Sequence, residues 1–348
     1  MERNSKMRKF EGFTKGINLG GWLSQHELTQ EHLDTFISKS DIEFISNMGV
    51  DHIRIPVDFE LIEDEIGTPI EKGYEYIEKG ITWCLEYGLN VVLDLHKTAG
   101  YVFDDSTYSS DFFHNQQLQE RFINLWIHLA NRFGKYSEHV AFELLNEVVD
   151  PSCADKWNEI AGRAIEAIRA IAPDTWLILG GTRNNSVISV KELGIPHDNK
   201  IVYNFHCYEP LIFTHQAAGW IEDMPSDYRI NYPETISHYL SETHRLIAPH
   251  HAYPIEHLSD MACGEEFFEK FFEEALETAE KYNVPLYCGE YGVIDQACPE
   301  ATLRWYQDIH TVFEKYGISR AVWSYKKMDF GIIDKHYQPI YENLLACL

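Results

Sequence analysis

Residues 140–150 read V-A-F-E-L-L-N-E-V-V-D, and this stretch decides how the rest of the chain is interpreted. It begins as an apolar run typical of a buried strand and ends on Asn146 and Glu147. A core strand gains nothing from these groups, because burying an ionised carboxylate is costly unless it has good partners. The carboxyl ends of strands in a parallel α/β barrel do carry functional groups. Glu147 is therefore a candidate functional residue; the alternative is a carboxylate that caps the next helix or pairs with a lysine.

The composition predicts a large folded core and disfavours polyanionic partners. Of 348 residues, 45% are hydrophobic and 14% are aromatic, which excludes a disordered chain. The formal net charge is −26, from 29 basic and 55 acidic residues. Nucleic acid and anionic membranes are therefore poor partners, whereas a neutral ligand is not repelled. No apolar run is long enough to cross a bilayer.

Cysteines and the N-terminus give the expectations for compartment and cofactors. The seven cysteines are scattered and form no C-x-x-C pair, which predicts neither a zinc knuckle nor a disulfide framework. The first residues, M-E-R-N-S-K-M-R-K-F, contain no apolar segment, so no signal peptide is visible. We expect a monomer without a cofactor, either cytoplasmic or secreted with its signal trimmed.

Strand and helix patterns alternate from end to end. Apolar strand segments such as His52–Pro56 and Asn90–His96 follow helical stretches predicted over Asp34–Met48 and Glu71–Tyr87. The full pattern has eight strands and seven intervening helices, with a C-terminal segment that could form the eighth. No G-x-G-x-x-G follows a strand, which disfavours an open doubly wound sheet. The alternation predicts a single (β/α)₈ TIM barrel over residues 1–348.

One connection breaks this alternation. Residues 207–264, after the sixth strand, are far longer than an ordinary βα loop. The segment is rich in aromatic residues, among them Phe213, Trp220 and Tyr232, so a disordered linker is not expected. We interpret it as an insertion subdomain on the catalytic face of the barrel.

Polar or aromatic residues stand at the ends of seven predicted strands. They are Asn18, Arg54, His96, Asn146 with Glu147, His206 followed by Tyr208, Glu290 and Trp323. Each has a structural explanation when taken singly: an arginine in an ion pair, a core histidine, or a packed indole. Polar groups buried together need each other, so their joint occurrence at one edge favours a shared site.

These residue types fit one reaction at an acetal carbon. Glu147 and Glu290, on opposite sides of the barrel mouth, suit double displacement, in which one carboxyl protonates the leaving oxygen and the other attacks the anomeric carbon. Arg54 and Tyr208 could keep the attacking carboxylate ionised by donating hydrogen bonds. The predicted substrate-binding residues are Asn18, Trp22, Arg54, His96, Asn146, His206, Tyr208 and Trp323. For Trp22 and Trp323 the alternative is packing in the core.

Seven segments together resemble glycoside hydrolase family 5, and within it the endoglucanase C type. They are K-G-I-N-L-G-G-W at 15–22, H-I-R-I-P at 52–56, V-L-D-L-H at 92–96, A-F-E-L-L-N-E at 141–147, I-V-Y-N-F-H-C-Y at 201–208, L-Y-C-G-E-Y-G-V at 286–293 and A-V-W-S-Y-K-K-M-D-F at 321–330. The resemblance implies a retaining (β/α)₈ enzyme with Glu147 as acid/base and Glu290 as nucleophile. It also implies a long segment after the sixth strand and a set of supporting residues around the two glutamates. These are Arg54, His96, Asn146, His206, Tyr208 and Trp323.

The implied activity is an endo-β-1,4-glucanase acting on a neutral β-glucan, of the cellulose or mixed-linkage kind. A β-mannanase or an exo-β-1,3-glucanase of the same family is the nearest alternative. A catalytically inactive carbohydrate-binding barrel is the alternative from another class. The 17 histidines motivate a metal hydrolase as a third hypothesis, but no H-E-x-x-H or strand-end H-x-H supports it, so we expect no metal site.

Overall fold

The computed structural model describes residues 7–103 and 111–348, in which eight parallel strands close into a barrel. Each strand pairs with the next along the chain, and β8 pairs with β1. The strands are β1 (Lys15–Asn18), β2 (His52–Val57), β3 (Asn90–Leu95), β4 (Val140–Glu143), β5 (Leu177–Gly180), β6 (Ile201–Cys207), β7 (Leu286–Tyr291) and β8 (Ser319–Val322). The predicted (β/α)₈ barrel is confirmed.

Helices connect the strands and cover the outside of the barrel. They are α1 (Gln30–Thr35), α2 (Lys39–Ser46), α3 (Phe59–Ile62), α4 (Glu71–Glu86), α5 (Asp111–His114), α6 (Gln116–Phe133), α7 (Ala154–Arg169), the turn α8 (Thr182–Asn185), α9 (Leu211–Thr214), α10 (Ile236–Leu246), α11 (Glu265–Tyr282), α12 (Pro299–Tyr316) and α13 (Tyr341–Leu345). Shorter 3₁₀ segments are Gly134–Tyr136, Pro151–Cys153, Val187–Leu193, Pro249–His251 and Lys335–Ile340. Over the ranges that the structure describes, no helix is both long and apolar enough to span a membrane.

The helix predicted over Asp34–Met48 is divided into α1 and α2. Ser38 begins α2 with a capping box, in which its hydroxyl accepts from the Asp41 N–H and the Asp41 carboxylate accepts from the Ser38 N–H. This reciprocal pair provides acceptors for two backbone N–H groups at the start of a helix, those of Ser38 and Asp41. It therefore favours a new helix after Ser38 over continuation of α1.

Side chains inside the barrel change from apolar to polar along the strands. The lower layer consists of small and branched residues, namely Val92, Ala141, Ile178, Val202 and Ala321, and the stacked rings of Phe10 and Phe13 pack against it. Because side chains alternate along a strand, the next inward position lies two residues further on. On four strands that position holds Arg54, Asp94, Glu143 and Asn204, all completely buried. The carboxyl ends of the strands therefore stand above a polar layer.

The chain between β6 and α11 folds against the barrel. It contains α9 and α10, and a bridge joins Thr235, just before α10, to Ala262, just before α11. Tyr232 is buried and its hydroxyl donates to Asp308 of α12 at 2.8 Å. The segment is thus packed and helical; its description as a subdomain over 207–264 stays a prediction.

Candidate active site

Arg54 is the centre of the polar layer. Its Nε and Nη2 donate to the two oxygens of Glu143 at 2.7 and 2.9 Å, and its Nη1 donates to Glu290 Oε1 at 2.7 Å. Asp94 Oδ2 lies 3.0 Å from Nη2. Burial opposes the guanidinium charge, but the three carboxylates outweigh it and raise the pKa of Arg54 well above its usual value.

Asp94 and Glu143 belong to the polar layer around Arg54, and neither was predicted from the sequence. Both stand inside strands at paired positions, Asp94 on β3 and Glu143 on β4. Burial raises the pKa of Asp94 to about 7 and also raises the pKa of Glu143, although Arg54 opposes both shifts. One cation faces three buried carboxylates, so Asp94 holds a proton over much of the acidic range. One sequence signal could have identified Asp94 and Glu143: each is the single acidic residue at an inward-facing position of an otherwise apolar strand.

Glu290 is held on both oxygens by hydrogen-bond donors. Besides Arg54 on Oε1, the Tyr208 hydroxyl donates to Oε2 at 2.9 Å. The register of β6 and β7 places His206 directly opposite Glu290, and the His206 Nδ1 lies 3.7 Å from Oε2. Both oxygens of Glu290 are therefore occupied by donors from other parts of the barrel, which fix the orientation of the carboxyl.

Glu147 lies four residues beyond the last residue of β4, not at the strand's end as the sequence suggested. Its backbone is fixed by Tyr101, whose hydroxyl donates to the Glu147 carbonyl at 2.6 Å and accepts from the Val149 N–H at 2.8 Å. Its carboxyl Oε1 is 2.8 Å from Nδ1 of His206. Glu147 and Glu290 thus share His206 but have different remaining partners.

The two carboxyls and this imidazole form a compact group. One ligand atom each from Glu147, His206 and Glu290 lie within 4.8 Å of one another, a spacing that would also suit a metal ion. Both Glu290 oxygens already accept from Arg54 and Tyr208, and a buried guanidinium beside the group disfavours a second cation. The absence of a metal stays a prediction.

His96, His206 and Asn146 lie near the two carboxyls, and each carries a buried polar atom without a hydrogen-bond partner among the described residues. Burial lowers the pKa of His96 and of His206 to about 4, so both rings are neutral near pH 7. The Nδ1 of His96 contacts Asp94 at 2.6 Å. Within residues 7–103 and 111–348, the Nε2 atoms of both rings and Nδ2 of Asn146 have no hydrogen-bond partner. Buried polar atoms without partners are rare, which indicates that a ligand completes them.

Trp323 adds an apolar ring beside His96. Its side chain follows β8 and is 6% exposed. The indole lies parallel to the His96 ring, with centroids 6.0 Å apart and planes 1° apart. Gly20 after β1 lets the ring approach closely, since a Cβ there would be 2.9 Å from the indole.

The structure corrects two of the predicted substrate contacts. The Trp22 indole is 0% exposed, donates to the Leu33 carbonyl at 3.1 Å and stacks on Trp83. Trp22 therefore packs between the barrel and α4, and its predicted contact with substrate is wrong. Asn18 is equally buried: its Nδ2 donates to the Gly289 carbonyl at 2.9 Å and its Oδ1 accepts from Arg54 at 3.0 Å. Asn18 positions Arg54 and does not face the cleft.

Asn184 is a further residue at this site that the sequence did not reveal. It lies in the turn α8 after β5, and its Nδ2 donates to Glu147 Oε2 at 3.0 Å. The backbone of Arg183, Asn184 and Asn185 is left-handed at all three residues, with φ of 55°, 54° and 56°. Such backbone is uncommon for residues other than glycine, and nothing in G-G-T-R-N-N-S predicts three in succession.

Comparison with known proteins agrees with this geometry. Residues 13–329 match the model of the cellulase family, glycosyl hydrolase family 5. Cellodextrinase A of Ruminococcus flavefaciens is 45% identical over 90% of this chain and 86% of its own length. Endoglucanase C of Acetivibrio thermocellus is 40% identical over 97% of this chain and 98% of its own length.

Solved structures share the fold. The endoglucanase Cel5A of Thermotoga maritima superimposes with a TM-score of 0.76 over 97% of each chain, at 23% sequence identity. The shared barrel, the family match over most of the chain and the two relatives lead to one conclusion. The protein is a glycoside hydrolase and belongs to the cellulases of glycosyl hydrolase family 5.

Proposed function

We propose that the protein is a retaining endo-β-1,4-glucanase that hydrolyses cellulose-type and mixed-linkage β-glucans by double displacement. Relatives named endoglucanase and cellodextrinase support this substrate class. The net charge of −26 does not penalise a neutral polysaccharide. The protein acts on this substrate as a monomer.

The distance between the two carboxyls is the observation that carries the proposal. Oxygens of Glu147 and Glu290 lie within 4.8 Å of each other. Retaining glycosidases have carboxyls about 5–5.5 Å apart, and inverting enzymes need about 6.5–9.5 Å to admit a water molecule between carboxyl and sugar. The narrow gap therefore favours direct attack by one carboxylate.

In the first step Glu290 attacks the anomeric carbon while Glu147 protonates the leaving oxygen. The donors Arg54 and Tyr208 hold the Glu290 carboxylate in place for this attack. The bond from the anomeric carbon to the leaving oxygen breaks as the glycosyl–Glu290 ester forms, and the proton of Glu147 leaves with the departing sugar.

In the second step Glu147, now ionised, removes a proton from water, which attacks the same carbon and releases Glu290. His206 contacts both carboxyls. Its neutral ring adds no positive charge, so Glu147 can lose and regain its proton. This arrangement supports one residue in both the acid and the base role.

The open polar atoms suit the hydroxyls of a bound sugar. His96, His206 and Asn146 have ring nitrogens and an amide without partners in the described part of the chain, and Trp323 adds an apolar ring parallel to that of His96. A pyranose has hydroxyls at its rim and C–H groups on its faces, which is the complementary pattern.

The test is the stereochemistry and the product profile of the wild-type enzyme. NMR of the first products from cellopentaose should show the β-anomer, and carboxymethyl cellulose and barley glucan should release more reducing sugar than glucomannan or laminarin. An α-anomer would exclude double displacement. Preference for glucomannan would indicate a mannanase, preference for laminarin with single glucose units released would indicate an exo-1,3-glucanase, and binding without turnover would indicate an inactive barrel.

Replacing Trp323 with leucine should weaken binding of cello-oligosaccharides about tenfold, because an aromatic contact contributes roughly 0.5–1.5 kcal/mol beyond the area that it buries. Affinity is best measured by calorimetry in a Glu290→Ala background, in which no substrate is consumed. Trp22→Leu is the matched control: it should lower the melting temperature and leave affinity unchanged. Equal affinities for the Trp323 and Trp22 variants would contradict the stacking role.

Trp220 extends the predicted cleft onto the segment after β6. It is 56% exposed, and its ring lies 6.4 Å from that of Phe330, which packs in one apolar cluster with Trp323. Trp220→Ala should reduce kcat/KM on cellohexaose severalfold and leave an aryl cellobioside unaffected, since only long chains reach it. Tyr253→Ala is the control, because Arg183 already covers that ring. Parallel losses on both substrates would mean that the segment only stabilises the barrel.

A further inference from the structure

The turn α8 places a strained piece of backbone beside Glu147. Arg183, Asn184 and Asn185 are left-handed in succession, and none of them is glycine. Strained backbone persists only where the surrounding structure holds it, and it is concentrated at functional sites. An observed run of three such residues next to a carboxyl of the site therefore calls for a functional explanation.

The turn is held by the loop that carries Glu147. The N–H groups of Arg183 and Asn184 donate to the carbonyls of Val149 and Val148, both at 3.1 Å. These carbonyls follow Glu147 directly in the chain. Asn185 closes the turn from inside, since its side-chain oxygen accepts from the Gly181 N–H at 2.9 Å. The side chain of Asn184 is thereby fixed relative to the carboxyl that it contacts.

The surroundings of Glu147 explain why a neutral donor is useful there. Titratable groups face it from several elements: His206 from β6, Glu290 from β7, Asp94 from β3, and Tyr208 and Glu209 from the segment after β6. The Glu290 carboxylate, which lies within 4.8 Å, disfavours a negative charge on Glu147. A lysine or arginine would overcompensate and prevent Glu147 from keeping its proton. An amide N–H stabilises the ionised form moderately and cannot itself titrate.

We propose that Asn184 is a positioning residue, which fixes the orientation of Glu147 through Oε2 and favours its ionised form enough for the base role in the second half of the reaction. This inference rests on the proposed acid/base function of Glu147. The left-handed turn is the means by which the amide reaches that oxygen.

Three variants of Asn184 separate the amide from the backbone. Glycine removes the amide and accepts the left-handed conformation without strain, whereas alanine removes the amide and adds strain. Aspartate keeps the conformation and replaces the donor by a second carboxylate. Each variant is assayed for its pH–rate profile on an aryl cellobioside with a good leaving group, for which the second step limits turnover, and for its melting temperature.

For Asn184→Gly we expect the acid limb of turnover to move upward by about one pH unit, because the rate-limiting second step needs Glu147 ionised and a hydrogen bond to a charged group is worth roughly that shift. Turnover should fall severalfold, and the melting temperature should stay level or rise. Asn184→Asp should move the limb further in the same direction. If Asn184→Gly keeps the wild-type pH profile, the inference is overturned, whatever its melting temperature. A lowered melting temperature with that profile would show that Asn184 has a structural role.

A Glu147→Ala variant, assayed in parallel, distinguishes this outcome from a failure of the proposed function. If Glu147→Ala loses cello-oligosaccharide hydrolysis and Asn184→Gly leaves the profile unchanged, only the role of Asn184 is refuted. If Glu147→Ala retains hydrolysis of cello-oligosaccharides, the acid/base assignment is refuted, and the inference falls with it.

Discussion

Replacing Glu290 with alanine is expected to lower turnover of cello-oligosaccharides by at least about 10⁴-fold, the scale seen when a covalent nucleophile is removed. The reason is that the first step has no attacking group once the carboxylate is gone. The variant should fold, because Glu290 lies at the open end of the barrel. Circular dichroism and a melting curve, measured beside initial rates, check both expectations.

Small anions provide the control for Glu290→Ala. The variant leaves the Arg54 guanidinium and the Tyr208 hydroxyl without their shared partner, next to a space of carboxylate size. Azide or formate should enter that space and restore turnover of an activated aryl cellobioside, giving a product of α-configuration because only one displacement occurs. A β-configured azide product, or activity near wild type without an added anion, would show that Glu290 is not the nucleophile.

Replacing Glu147 with alanine should produce a loss that depends on the leaving group. General acid catalysis contributes about 10²–10⁴-fold, so hydrolysis of cello-oligosaccharides should fall by that factor. A dinitrophenyl cellobioside needs no proton to depart, so its first step should be nearly unaffected. Azide should accelerate the variant and give a β-configured product, since the glycosyl–Glu290 ester still forms first.

Glu143 is the matched comparison for Glu147, as a second buried glutamate four residues earlier, at the end of β4. Its carboxylate contacts Arg54 and Asn204 and does not face the cleft. Glu143→Gln should lower the melting temperature and reduce turnover of activated and unactivated substrates alike. A leaving-group dependence in Glu143→Gln equal to that of Glu147→Ala would contradict the assignment of the acid.

Much of the fold was predictable because its signals are local. Each strand is a short apolar run bounded by helical periodicity, and α4, at Glu71–Glu86, agrees with the helix predicted over Glu71–Tyr87 to within one residue. Glu147, Glu290 and His206 were recognisable for a physical reason as well. Polar groups that follow apolar strands of a parallel barrel converge at one edge, so position in the chain predicts proximity in space.

The remainder depends on tertiary contacts that no local pattern encodes. Trp22 follows a strand just as Trp323 does, and only the tertiary packing places one indole against Trp83 of α4 and the other against His96. Asp94 and Glu143 stand within strands, where their partner Arg54 comes from another strand. The left-handed turn at Asn184 has no glycine to signal it. Its conformation is imposed by carbonyls of a loop more than thirty residues earlier in the chain, a distance given by the Asn184–Val148 contact.

The Arg54 centre also has a consequence for how such a sequence can diverge. Its guanidinium joins groups on β1, β3, β4 and β7, namely Asn18, Asp94, Glu143 and Glu290. Loss of Arg54 alone leaves the buried carboxylates without their cation, which is strongly destabilising, whereas a matched apolar replacement of a whole pair is often tolerated. Neutral drift at this layer must therefore proceed by coupled substitutions, and libraries that vary Arg54 and Glu143 together should yield folded barrels that one-at-a-time libraries miss.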